Sequence, residues 1–222
     1  MIGGFQPLTF SDYPGRLASI VFTYGCNYRC PYCYNVSLVE GTDIERIEES
    51  TIVEFLESRR RFVSAVVITG GEPTIHGSRL VSFAKELKNR GFLVKLDTNG
   101  SNPHILENLV DHIDYCSVDL KTDERRYPLI GGDFWVVLDS VKVLRSADLS
   151  YEIRIPMVPL FVDEEMLLFI RKFLMEGERI VLKRFIPYFG TLDRTFSNLQ
   201  PYPPSIVDRF IEILDGFCVS VI

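Results

Sequence analysis

Short apolar runs alternate along the chain with segments whose apolar residues recur every three or four positions. Leu17 to Thr23, Ala65 to Thr69, Phe92 to Leu96, Tyr115 to Leu120, Tyr151 to Val158 and Ile180 to Ile186 have the length and composition of buried strands. Glu45 to Arg60 carries helical spacing through Ile52, Val53, Phe55 and Leu56, with Ser50 as an interruption. Ser78 is placed to cap a helix through Asn89 that Gly91 stops, and Asn102-Pro103 opens a helix to about Val110. Further helices are predicted over Phe134 to Arg145, from a cap at Asp163 to Met175, and from Pro204 to Leu214. Phe217 to Ile222 has the length of a short terminal strand.

Six strand-then-helix units in succession require a parallel sheet with right-handed crossovers. Six cannot wind an eight-stranded barrel, so the expected fold is α/β, a partial (β/α)6 TIM-like barrel open on one side. One domain over 1–222 is expected: a lead-in over 1–16 with turn chemistry at Tyr13-Pro14-Gly15, the barrel over 17–188, and a tail over 189–222.

Composition narrows the function classes. Of the 222 residues 46% are hydrophobic, with 16 Phe and 10 Tyr, which is ample for a filled core and excludes disorder. The net charge is −6 and the basic run Arg59-Arg60-Arg61 reads as the solvated end of a helix, so nucleic acid is not expected as a partner. The first residues lack a basic segment leading into an apolar one, and no run of eighteen apolar residues occurs; a soluble, cytoplasmic protein without a membrane partner is expected. Five cysteines, an odd number, suit a reducing compartment. Cys116 and Cys218 stand alone in apolar strings and read as buried inert thiols.

The other three cysteines change the picture. Cys26, Cys30 and Cys33 form a Cys-x3-Cys-x2-Cys run directly after the first predicted barrel strand. Three thiolates on one loop can each hold one iron of a cubane cluster, leaving the fourth iron open to a substrate. The alternatives are a zinc site, inert thiols, or an electron carrier whose metal is fully ligated by protein. A zinc knuckle calls for a second close pair or a near His, and His76, His104 and His112 are all distant in sequence.

The remaining polar motifs fall at strand ends, where barrels of this kind carry their chemistry. Gly70-Gly71-Glu72-Pro73 follows the second strand, Asp97-Thr98-Asn99-Gly100 the third, Asp119 and Lys121 the fourth and Pro187-Tyr188 the sixth, while Arg154 lies in the fifth. Gly70-Gly71 reads either as an ordinary turn with a solvated Glu72, or as backbone that a ligand approaches, with a carboxylate to hold an ammonium. Asp97 and Asp119 on adjacent strands would repel unless a cation or Lys121 stands between them. Thr98 reads equally as a helix cap or turn residue. Arg154, between Ile153 and Ile155, should face the interior, where a buried guanidinium needs an anion.

The cysteine run with Tyr32 before its third member resembles the signature loop of the radical S-adenosylmethionine (SAM) enzymes. Gly3-Gly4-Phe5-Gln6-Pro7, Ser11-Asp12-Tyr13-Pro14-Gly15 and Phe22-Thr23-Tyr24-Gly25-Cys26-Asn27 resemble more narrowly the activating proteins of anaerobic ribonucleoside-triphosphate reductase. These are close to the pyruvate formate-lyase activases, and the likeness extends to about Tyr188. It implies a partial (β/α)6 barrel and one [4Fe–4S] cluster on Cys26, Cys30 and Cys33, with SAM chelating the fourth iron. It also implies that Gly70, Gly71 and Glu72 bind the SAM amino group and that Tyr32 belongs to the same cofactor site. Asp97, Thr98 and Asp119 match residues that hold a monovalent cation beside the SAM carboxylate, and Lys121 matches a lysine near SAM. Arg154 is assigned to the SAM carboxylate or to the partner backbone.

The implied reaction is one-electron cleavage of SAM to methionine and a 5′-deoxyadenosyl radical, which takes a hydrogen atom from a glycine of a partner enzyme. No side chain need act as acid or base, since the hard chemistry belongs to the cofactor. The implied partner is a glycyl radical enzyme, the anaerobic ribonucleotide reductase large subunit foremost. Tyr34 to Ser64 holds no further cysteine, so the electron is expected from an external flavodoxin or ferredoxin. Other resemblances left open are an activase of the pyruvate formate-lyase type and a small-molecule enzyme such as 7-carboxy-7-deazaguanine synthase. Two positions depart from the pattern: Tyr34 stands in Cys33-Tyr34-Asn35 where the family commonly has His, and Ile186-Pro187-Tyr188-Phe189 replaces the Leu-Pro-Tyr-His of the pyruvate formate-lyase activases.

Overall fold

The computed structural model describes residues 1–187 and 190–222; Tyr188 and Phe189, where the departure just named falls, lie outside the described residues. The expected parallel sheet is present and open. Its six anticipated strands are β2 (Ala18–Thr23), β3 (Ala65–Gly70), β4 (Leu93–Thr98), β5 (Tyr115–Asp119), β6 (Ser150–Met157) and β7 (Arg179–Arg184). Two more extend it. The lead-in holds β1 (Ile2–Thr9), antiparallel to β2, and the tail holds β8 (Cys218–Val221), parallel to β7. The order is β1 through β8 in sequence, so both edges of the sheet come from segments outside the six units. β1 escapes the periodicity because Gly3, Gly4 and Pro7 read as turn material; an edge strand tolerates all three.

The helices are α1 (Val36–Glu40), α2 (Glu49–Ser58), α3 (Ser78–Asn89), α4 (Pro103–Glu107), α5 (Phe134–Ser146), α6 (Glu164–Ile170) and α7 (Pro204–Ile213). Several boundaries depart from expectation for local reasons. α2 begins four residues later than Glu45, because Ile47 is held extended by an antiparallel bridge to Ile2. Ser78 lies inside α3 and makes no cap bond; Gly77 occupies the cap position. α4 gives way before Val110 to a 3-10 turn over Val110–His112. Asp163 does cap α6, accepting from the Met166 N–H at 2.8 Å, but the α-helix ends at Ile170 and a 3-10 turn over Arg171–Phe173 replaces its end. No helix among the described residues is long and apolar enough to cross a membrane.

Strand alternation divides the sheet into two faces. Val66, Ile68, Val94, Leu96, Val118, Ile153, Ile155, Ile180 and Leu182 are fully buried and pack with the helices in the main core. The opposite face turns into the barrel. At its strand-start end Tyr13 packs with Ala18, Ile20, Ala65, Val67 and Tyr115, so the Tyr13-Pro14-Gly15 turn plugs that end. Cys116 is buried as expected. Cys218 is exposed, a correction to the sequence reading: it opens a four-residue edge strand, where an apolar neighbourhood in sequence does not produce cover.

Candidate functional site

Three loops meet above the strand ends. Gly25, at φ +83°, turns the chain out of β2 and donates its N–H to the Leu38 carbonyl at 2.6 Å. The cysteine loop is then fixed mostly through backbone: Cys33 N–H to Cys30 O at 3.0 Å, Arg29 N–H to Ile130 O at 2.8 Å, and Leu192 and Asp193 N–H groups to Cys33 O and Pro31 O, both at 2.9 Å. The Arg29 guanidinium donates to the carbonyls of Cys26 (2.6 Å) and Tyr28 (2.9 Å). Tyr32 is buried, its ring edge-on to Phe161 with centroids 5.2 Å apart, and its hydroxyl has no hydrogen-bond partner among the described residues. Burial pushes the Cys26, Cys30 and Cys33 thiols above their ordinary pKa.

Gly70-Gly71 follows for a reason the sequence did not disclose. A Cβ at Gly70, φ +121°, would lie 2.3 Å from the Thr23 carbonyl oxygen, and one at Gly71 2.0 Å from that of Gly25. The glycines let the chain's own backbone close up, and the Gly71 and Glu72 N–H groups bond those same carbonyls at 2.9 and 2.8 Å. Glu72, read as solvated or as an ammonium ligand, is 0% exposed. One carboxylate oxygen accepts from Thr74 N–H (3.0 Å), Thr74 hydroxyl (2.5 Å) and Thr98 hydroxyl (2.7 Å); the other accepts from Asn99 N–H (2.6 Å). Burial pushes the Glu72 pKa up, and these donors offset only part of the rise. Asn99 passes the brace to the cysteines, its amide donating to Asn27 Oδ1 at 3.0 Å and lying 4.0 Å from Cys26 Sγ.

Across the lumen runs a chain of ion pairs. Lys95 Nζ meets Asp97 at 2.5 Å, Arg154 donates to Asp97 and Asp119 at 2.9 Å each, and Lys121 Nζ meets Asp119 at 2.8 Å. Arg154 thus faces the interior as expected, but the chain itself supplies its anions. It stands between the two carboxylates where the resemblance puts a monovalent cation, while Thr98, on the other strand face, gives its hydroxyl to Glu72. Burial alone would raise Asp97 and Asp119. The Arg154 charge, with Lys95 on one and Lys121 on the other, outweighs it and holds both below the usual carboxylate range. Burial likewise opposes the charge on Lys121, yet Asp119 keeps it well above an ordinary lysine.

One cavity of about 750 Å³ takes in Cys26, Cys30, Cys33, Tyr32, Gly70 to Glu72, Asp97, Thr98, Asp119, Lys121 and Arg154. That volume is in the range of cofactor and substrate sites. Three residues absent from the sequence reading belong here too. Lys95 shares the inward face with Asp97 two positions on, and Glu152 shares it with Arg154; period-2 alternation could have found both. Lys183 follows Val181 on β7 in the same way. Among the described residues no three of His, Cys, Asp and Glu converge on a single-ion site. A zinc ion therefore has no ready cage, whereas three separate thiols around one cavity fit a cluster that takes one thiolate per iron.

Comparison with known proteins places the chain among relatives of one kind. A Methanocaldococcus jannaschii protein named as a glycyl-radical enzyme activating enzyme is 31% identical over 216 residues, 91% of this chain and 86% of that one. The 7-carboxy-7-deazaguanine synthase of Hyperthermus butylicus is 40% identical over 94 residues, 41% of this chain and 38% of that protein. In fold, a solved domain of a pyruvate-formate lyase-activating enzyme from Bacteroides vulgatus superposes with a TM-score of 0.58 at 20% identity, covering 71% of this chain and 98% of the domain. The Radical SAM superfamily profile matches residues 20–173, from within β2 to the end of the turn after α6. With its three thiols, its open parallel sheet and that match, this chain belongs to the radical SAM superfamily.

Proposed function

We propose that this chain is an activating enzyme that installs a glycyl radical on a partner, with anaerobic ribonucleoside-triphosphate reductase as the target. The observation that carries the reading is the reach of the cavity. It joins the three thiols to both edges of the open sheet, from Gln6 on β1 to Ser220 on β8, so a segment of another protein has a way in. The name of the archaeal relative supports the activase class, and Ser11-Asp12-Tyr13-Pro14-Gly15 supports the reductase as target.

Cys26, Cys30 and Cys33 would hold the cluster. When bound, cluster and SAM together supply one-electron cleavage of the sulfonium to methionine and a 5′-deoxyadenosyl radical. The residues of the chain contribute position and charge. Three cations against two carboxylates leave the Lys95–Asp97–Arg154–Asp119–Lys121 chain with one positive charge in excess, and Lys121 is its end that lines the cavity with Cys30 and Tyr32. That excess suits the SAM carboxylate. Glu72 holds the strand ends in register so that Gly70 and Gly71 can present backbone groups to the methionine moiety. Tyr32, between Cys30 and Cys33 in the loop, is packed against Phe161 and Phe196, which fixes the loop beside the buried Cys30. An external flavodoxin or ferredoxin would supply the electron.

The test is anaerobic reconstitution with iron and sulfide, followed by electron paramagnetic resonance with and without SAM. The expected result is a [4Fe–4S]⁺ signal that changes on adding SAM, then a glycyl radical doublet when the reductase large subunit is added. A cluster indifferent to SAM would overturn the reading. The partial identity to a 7-carboxy-7-deazaguanine synthase favours a second reading, a small-molecule radical SAM enzyme. It predicts SAM cleavage driven by that enzyme's substrate and no doublet on any partner.

A further inference from the structure

The cations that line the cavity fall into two sets. Lys95, Lys121 and Arg154 each lie within 2.9 Å of an aspartate oxygen. Lys183 and Arg184 line the same cavity, and neither has a carboxylate within ion-pair distance among the described residues. Lys183 sits opposite Pro156 in the β6–β7 register, one inward-facing step beyond Val181, which is opposite Arg154. Its side chain reaches solvent within the cavity, yet desolvation by its neighbours and then the Arg154 charge lower its pKa, against the pull of Asp119 and Asp97. A positive charge held beside a guanidinium with no anion of its own is stabilised by any carboxylate that enters.

Its place also separates it from the thiols. Lys183 stands on β7, opposite Pro156 of β6, whereas the cysteine loop leaves β2, five strands away in the sheet order. Lys183 lies on the β8 side of the lumen, with Ser220 and Ile222 next along the cavity wall toward the open edge. We propose that Lys183, with Arg184 at the rim, is a specificity residue that pairs with a carboxylate carried by the incoming substrate segment, an Asp or Glu flanking the glycine that gives up its hydrogen. This rests on the activase reading above, and it leaves the SAM carboxylate to Lys121.

The experiment is nuclear magnetic resonance on the cluster-loaded, oxidised protein labelled at lysine Cε, with the Lys183 signal assigned from Lys183→Arg. Acetate is titrated first, then acetyl-Gly-Asp-Gly-amide and its Asn counterpart, and separately SAM. Lys183 should shift saturably with acetate and with the Asp peptide, the Asn peptide binding at least tenfold more weakly. Lys183→Gln should lose at least tenfold in affinity for the Asp peptide, and Lys183→Arg should keep it. A silent Lys183 signal overturns the proposal. So does a saturable shift with SAM that blocks acetate, because the site would then belong to the cofactor. The readout is independent of radical formation. Peptide binding without a glycyl radical on any partner would sink the activase reading alone, and a radical formed while Lys183 stays silent would sink only this one.

Discussion

Above β3 and β4, Glu72 is surrounded by neutral donors; above β4 to β6, Asp97 and Asp119 are surrounded by cations. Both regions keep carboxylates out of bulk water on the same rim, and they differ in what the carboxylate does. Four hydrogen bonds from Thr74, Thr98 and Asn99 make Glu72 a fixed brace whose ionised form is still penalised by burial. The Arg154 fork makes Asp97 and Asp119 permanent anions and spends two of its own nitrogens doing so. The first region sets shape where the cysteine loop joins the sheet. The second sets charge along the wall of the lumen. Under the activase reading proposed above, the site would admit a cationic sulfonium, a carboxylate and a polypeptide, and both regions, kept apart, suit that.

The largest expected effect tests the charged region. Arg154→Met leaves Asp97 and Asp119 facing one another with only Lys95 and Lys121 on their outer sides. Breaking a pair this well buried, with Arg154 12% exposed, should cost about 3–5 kcal/mol. Chemical denaturation at pH 7 would read it as a fall in midpoint. Adding Asp119→Asn to Arg154→Met should recover at least about 1 kcal/mol, since one of the two unpaired carboxylates is gone. Simple additivity of the two losses would show that the carboxylates do not share the guanidinium, and the contrast drawn here would fail.

A smaller effect tests the neutral region. Glu72→Gln keeps the volume but turns one acceptor into a donor, so an amide N–H must face either the Thr74 and Thr98 donors or the Asn99 N–H. The expected loss is about 1–3 kcal/mol in thermal or chemical unfolding. Hydrogen exchange should speed up at Asn99 and Gly100 first, because those amides lean on Glu72 and on Thr98. Exchange that quickens equally around Arg154 would mean the two regions are one network.

What the sequence disclosed follows the same division. The strand-helix alternation and the cysteine spacing are local patterns, and they yielded the parallel sheet, its open form and the loop with three thiols. Strand-end placement also gathered Asp97, Asp119 and Lys121 correctly, since a barrel brings successive strand ends together. Partner choice was not legible. Glu72 looks solvated beside Pro73, and only the approach of Thr98 and Asn99 from the next strand shows that it is consumed. Arg154 advertises its need for an anion but not that two aspartates on neighbouring strands meet it. Lys95, Glu152 and Lys183 were within reach, because each stands two residues from a lumen-facing position on its own strand. β1 was hidden by glycines and a proline that an edge strand accepts.

The smallest effect is also the sharpest test of the contrast, because the two regions should respond to acid with opposite signs. Asp97 and Asp119 titrate lower in the folded protein than the ordinary aspartate value of 3.8. Their stabilisation is therefore whole above that value and is lost as pH falls through their folded values. Glu72 titrates above the ordinary 4.5 when folded, so the folded state takes up its proton more readily than the unfolded chain. Its ionisation costs stability at neutral pH, and that cost is relieved as pH falls from the raised value toward 4.5. Each relieved pH unit is bounded at about 1.4 kcal/mol. Unfolding free energies of the parent, Glu72→Gln and Asp119→Asn between pH 7 and 3 separate the two. The parent should gain on Glu72→Gln as pH falls toward 4.5, and Asp119→Asn should lose less than the parent below 3.8. If both differences run in the same direction, Glu72 is ionised with its charge compensated like the aspartates, and the neutral donors are doing what cations do across the lumen.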